Sequence, residues 1–293
     1  MKNLLLSLTT VCLCYHFSQA QDNVDNLFKT GIDNLKSKNY IGAIALLTEA
    51  IGKQPDNAAA YYNRALAKKE LSEQAQYQNT ESCHDFASAL ELGYIDAAKY
   101  LEKDCTSECF LPDNAFSAPE EVFCADFNSK VLYQLPVECN MLNNIVKLNL
   151  FNNKLTTFPA ELYSMDLLLY LDLSSNKIPE VQPEIKELKY LKELNMNKNF
   201  LHHLPLEIGQ LKQLQSLYLR SNLIDHMPRT LGQLENLTEL DLAMNNISAM
   251  PDDITNLKKL RTLNLVGNPI DKKEQKRIKT MLPNCQVYFG EGE

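Results

Sequence analysis

Few of the side chains able to do acid–base, metal or nucleophilic chemistry are spaced for it. The chain has five histidines and eight cysteines. Glu180, His203 and His226 follow one another at intervals of 23 residues. If the chain is wound in coils of that length, neighbouring strands about 4.8 Å apart would bring the three together, and a Glu-His-His set can hold zinc. The trio lacks a further ligand and an orienting shell, so a polar rim is the plainer reading. No nucleophile elbow, phosphate loop or zincin motif occurs. Nine glycines leave little for a Gly-rich cofactor loop. These residues predict a protein that is not an enzyme and holds no cofactor and no metal.

The cysteines say more about compartment than about catalysis. Residues 1–20 read as a secretory signal: Lys2, a short apolar stretch from Leu4 to Phe17, and the small-x-small site Ser18-Gln19-Ala20. Ser7, Thr9, Thr10 and His16 interrupt the stretch, so it is too short to anchor the chain in a bilayer. No later segment is apolar enough to span one. The reading is an exported protein, periplasmic or extracellular. Beyond the leader stand Cys83, Cys105, Cys109, Cys124, Cys139 and Cys285, an even set that permits disulfides in an oxidising compartment. A net charge of −8 opposes nucleic acid and gives no pull toward anionic lipid.

The elements that would position these residues are set by a repeat. Asn153, Asn176, Asn199, Asn222, Asn245 and Asn268 recur every 23 residues. Each closes Leu-x-x-Leu-x-Leu-x-x-Asn, with Ile145 and Met196 as substitutes. A second apolar series follows, Leu162, Ile185, Ile208, Leu231 and Ile254, entered through Pro159, Pro205, Pro228 and Pro251. The pattern resembles the 23-residue, Ras-suppressor-like class of leucine-rich repeats over roughly residues 122–290. That resemblance implies an α/β solenoid with seven parallel strands on one concave face, a degenerate first coil from Val122, and a C-terminal cap over 269–290. It also implies a structural role for the asparagines, as a ladder of hydrogen bonds between coils.

From Val24 to Asn57 apolar and small residues recur at helical spacing: Leu27, Gly31 and Leu35, then Ile41, Ile44, Leu47 and Ile51. With Ala43, Ala50 and Pro55 the unit resembles a tetratricopeptide repeat, and a looser second unit begins at Ala58. The expected organisation is a signal at 1–20, an all-α helical-repeat domain at 21–107, a linker at 108–121 and the solenoid at 122–290.

Side chains alternate along a strand, so residues between the leucines must leave the concave face. Phe151, Tyr170, Asp172, Glu193, Asn195, Tyr218, Arg220, Glu239 and Asp241 fall there. Aromatic residues and Arg dominate binding hot spots, and the carboxylates favour a partner with basic groups. The function read from this is a scaffold holding a protein partner on that face; a surface adhesin or the substrate-recognition subunit of an enzyme complex is the alternative. The same alignment sorts the cysteines. Cys139 falls on the buried Leu162 position, which predicts a buried free thiol, and Cys285 should be free in the cap. Cys124 falls on the solvent-facing Lys147 position, near Cys109 in the linker. The expected bridges are Cys109–Cys124 and Cys83–Cys105. Asn236-Leu237-Thr238 and Asn246-Ile247-Ser248 match the glycan acceptor pattern; if the source is bacterial they are chance matches.

Overall fold

The computed structural model describes residues 23–75, 81–106 and 109–290; the export signal read over 1–20 lies outside them. The chain divides into two compact units between Cys105 and Thr106.

The first unit is helical: α1 over 23–36, α2 (Tyr40–Lys53), α3 (Ala58–Ala75), α4 (Glu81–Glu91) and α5 (Ala98–Asp104). Small residues let the helices close up. Ala43, Ala50, Ala60 and Ala67 are fully buried, and a Cβ added to Gly31 would lie 2.8 Å from Leu47 Cγ. Asn39 and Asn57 start α2 and α3 by accepting the Gly42 and Ala60 N–H groups. Ile41 departs from the expected inward stripe. It is 71% exposed, because Tyr40, Ala43, Leu47 and Ala50 form the buried side of α2. Asp85 is buried in α4 and takes a two-pronged bond from Arg64 (Nε 2.8 Å, Nη2 2.6 Å), with Lys68 at 3.0 Å. Tyr62 stacks on Tyr94 and meets Phe86 and Tyr100 edge-on. Arg64 and Tyr62 are therefore held by the unit's own packing. A disulfide joins Cys83 to Cys105.

The second unit is an eight-stranded, wholly parallel sheet in sequence order: β1 (Cys124–Asp126), β2 (Lys147–Asn149), β3 (Tyr170–Asp172), β4 (Glu193–Asn195), β5 (Ser216–Tyr218), β6 (Glu239–Asp241), β7 (Thr262–Asn264) and β8 (Gln286–Tyr288). From β1 to β7 the register advances by one repeat per strand, so Leu148, Leu171, Leu194, Leu217, Leu240 and Leu263 stack in a single buried row. Strands β1 to β6 each return through a short 3-10 turn such as Leu206–Gln210, whose Ile208 joins the same core.

The ladder asparagines explain why coils of this length close. Asn199 Nδ2 donates to the carbonyls of Leu173 in the preceding coil and Met196 in its own, while its Oδ1 accepts the Ile178 N–H. Asn176, Asn222, Asn245 and Asn268 repeat the pattern. One amide satisfies backbone groups of two coils that would otherwise be buried and unpaired.

Both ends differ from the expectation. The sheet has eight strands rather than seven, because the cap contributes β8, paired with β7 as Thr262↔Gln286, an offset of 24 in place of 23. The segment read as a linker belongs to the solenoid. Phe110 bonds the edge of β1, donating to Cys124 O and accepting from Asp126 N, both at 2.9 Å, and Ala115 is buried in the solenoid core with Phe110 and Phe116 against it. A disulfide joins Cys109 to Cys124. The basic run at 272–277 is anchored through Arg277. Within α7 (Lys272–Met281), Arg277 bonds Glu274, Asp252 and the Met250 carbonyl, tying the cap helix to the last return turn.

Candidate functional site

The nine residues read as a binding surface are distributed in three rows across the open side of the sheet. The first row runs Lys147, Tyr170, Glu193, Ser216, Glu239, Thr262 and the second Asn149, Asp172, Asn195, Tyr218, Asp241, Asn264. Phe151 and Arg220 stand two residues beyond the second row and are exposed. Tyr170, Asp172, Glu193, Asn195, Tyr218 and Asp241 are half-buried, and Glu239 is exposed.

The second row is also used by the fold. In six coils its side chain accepts the backbone N–H two residues on: Asp126 from Asn128, Asn149 from Phe151, Asp172 from Ser174, Asn195 from Asn197, Asp241 from Ala243 and Asn264 from Val266, at 2.8–3.2 Å. An Asp or Asn at this place closes the strand locally, as such residues do in turns. Asn195 also donates to Asp172 Oδ2 at 3.1 Å, so both ends of its amide are engaged.

Tyr218 breaks this row. A phenol cannot reach back to the Arg220 N–H, and Asn197 of the preceding coil takes that bond at 2.6 Å. The duty is transferred, and the Tyr218 side chain is released onto the face. Its hydroxyl donates to Glu239 Oε2 at 2.6 Å. Burial and that hydrogen bond push the phenol up to about 12. Burial also raises the Glu193 carboxyl; Asp172 and Glu239 push the same way and Lys147 opposes them. Four carboxylates thus share strands β3 to β6, and one of them is ionised against a cost. Asn197 does not stand out in the sequence by its own type or place. The signal was present in the break at Tyr218, which leaves a backbone donor needing a partner.

Other candidates are not assembled into a site. Glu180, His203 and His226 are exposed, His226 Nδ1 meets Asp225, and among the described residues no group of three His, Cys, Asp or Glu could hold a metal. Cys139 is a buried free thiol that burial pushes up to about 12, and Cys285 in the cap is free and pushed up to about 11. Neither is poised as a nucleophile. Cys124 is buried beneath its bridge. Asn236 accepts from Lys259 and donates to the Lys212 carbonyl, so its amide links three coils.

Residues 161–286 match the model of a leucine-rich repeat region. A solved leucine-rich-repeat protein of Leptospira interrogans is 40% identical with a TM-score of 0.52; the match covers 53% of this chain and 40% of that one. The chain thus spans less than half the length of that neighbour. No curated protein matches. The fold is widespread, with 387 solved chains matching, so function has to be argued from the face and not from the architecture.

Proposed function

We propose that this leucine-rich-repeat protein is a non-enzymatic scaffold that holds a protein partner on the open face of β3 to β6, centred on Tyr218 and Arg220, in an oxidising compartment outside the cytoplasm. The observation that carries the reading is the break in the second row. The fold uses Asp or Asn at that place in every other coil, and in β5 it accepts a tyrosine and moves the lost hydrogen bond to Asn197. A residue the core does not require, in a position the repeat had to accommodate, has its reason outside the fold. Tyr and Arg are the residue types that anchor interfaces. The raised Glu193 carboxyl supports a partner with basic groups, since a cation set among Asp172, Glu193, Glu239 and Asp241 relieves their repulsion. The two disulfides support the compartment.

Alanine scanning tests the reading once a partner has been recovered by crosslinking in the native host. Tyr218→Ala and Arg220→Ala should each weaken binding by about 1–3 kcal/mol with the fold intact. If face variants leave binding unchanged while substitutions of the exposed helical residues Ile41 and Ile95 abolish it, the partner sits on the helical unit instead.

A further inference from the structure

A second surface lies off the sheet, on the rim where the chain leaves each strand. The residue after each of the first five ladder asparagines donates its N–H to the preceding coil: Lys154 to Leu132 O, Lys177 to Leu155 O, Phe200 to Ile178 O, Leu223 to Leu201 O and Asn246 to Ile224 O, at 2.8–3.0 Å. This backbone ladder fixes their side chains in a single row, one per coil. The row reads Lys, Lys, Phe, Leu, Asn. Phe200 is 50% exposed and Leu223 40%, and neither packs against the core cluster. Met244, two residues before Asn246, is exposed as well. Beside Phe200 stands Lys198, also exposed. Lys154, Lys177 and Lys198 take part in no ion pair or side-chain hydrogen bond among the described residues. In a chain of net charge −8, an uncompensated basic strip running into exposed apolar residues is a local inversion of the surface.

We propose that this rim is a second docking site, distinct from the sheet face, for an acidic polypeptide segment carrying apolar side chains. Charge complementarity selects the sign of the partner. Phe200, Leu223 and Met244 supply the apolar area that desolvation needs. A polypeptide fits better than a lipid surface: the site is a strip two residues wide, the row of Phe200 and Leu223 beside that of Lys198 and Met244, and Glu180 and Asp225, exposed on the loops of two different coils, would be driven against anionic headgroups.

The test uses the full chain and three probes: a synthetic peptide alternating Glu with Leu and Phe, its counterpart with Lys in place of Glu, and phosphatidylglycerol vesicles. The Glu peptide should bind, more weakly as salt rises. Lys177→Glu combined with Lys198→Glu, and separately Phe200→Ser combined with Leu223→Ser, should each weaken it at least about tenfold, with unchanged unfolding midpoints because these side chains are exposed. The charge-reversed variant should gain affinity for the Lys peptide. Tyr218→Ala should leave binding of the Glu peptide as it is, which separates this site from the sheet face. Equal binding of the two peptides, indifference to the rim variants, loss on Tyr218→Ala alone, or capture of the vesicles without the peptide would each overturn the proposal.

Discussion

Two rows of polar residues run the length of the solenoid, and they behave differently. The ladder asparagines, from Asn153 to Asn268, are unbroken. The face row from Asp126 to Asn264 is broken once, at Tyr218. The first row is buried and bonds two coils at a time; the second is half-exposed and bonds its own strand end, with one side-chain bond across coils, from Asn195 to Asp172. A repeat protein thus carries its own internal control. Where every coil keeps a residue, the core depends on it. Where one coil departs and a neighbour takes over the lost bond, the departure was tolerated for another reason.

The comparison breaks hardest at the ladder. Asn199→Ala leaves the buried Ile178 N–H without its partner, while the Leu173 and Met196 carbonyls each keep one bond, from Asn176 and Asn222. One buried donor is then unrepaid and two carbonyls lose one of two bonds, so the loss should be about 2 kcal/mol in denaturant unfolding. A cost below about 1 kcal/mol would mean that water enters the seam and that the ladder is not what closes the coils.

Asn197→Ala sharpens the contrast at its one exception. In wild-type protein Asn197 serves the Arg220 N–H; removing it should cost about 1 kcal/mol. Asn128 occupies the same place in the first coil, where Asp126 caps its own strand. Asn128→Ala should therefore cost less, and equal costs would remove the special standing given to β5.

A smaller effect is expected at Glu193 and is read through pH. Its folded carboxyl is raised, mainly by burial and then by Asp172 and Glu239. The folded state therefore binds more protons than the unfolded state between the ordinary carboxylate range and the raised value, and stability falls as pH rises through that window. Glu193→Gln should match wild type below the ordinary range and gain on it as pH climbs toward 7. A variant that instead loses ground with rising pH would show that Glu193 is held ionised by a favourable contact.

Much of this was legible before any coordinates. The spacing of the asparagines and leucines sets which residues enter the core, and with it the buried Cys139; Cys124 bridges Cys109 as expected, but it is buried where the repeat position predicts an outward side chain. Features without the repeat's period were not legible. β8 carries one inward residue, Val287, and no leucine pattern, so Val287-Tyr288-Phe289 is strand-like in the sequence as the end of a cap but is not countable as an eighth strand of the sheet. Residues 110–121 lack the repeat altogether, yet Phe110 covers the edge of β1, because an open strand edge is satisfied by backbone groups whatever the side chains. On α2 the spacing of Ile41, Ile44, Leu47 and Ile51 predicts Ile41 inward, and packing buries its neighbour Tyr40 instead. The transfer of a hydrogen bond from position 218 to Asn197 depends on which side chain reaches across coils, and a one-dimensional pattern does not encode that reach.

The claim that β5 gave up a structural residue for a surface one is tested most directly by Tyr218→Asn in denaturant unfolding. The substitution restores the residue type the other coils use, and Asn197 continues to serve the Arg220 N–H. The account predicts a stability within about 0.5 kcal/mol of wild type. A loss of more than about 1 kcal/mol would show that Tyr218 belongs to the fold, and would contradict the assignment of the face to a partner.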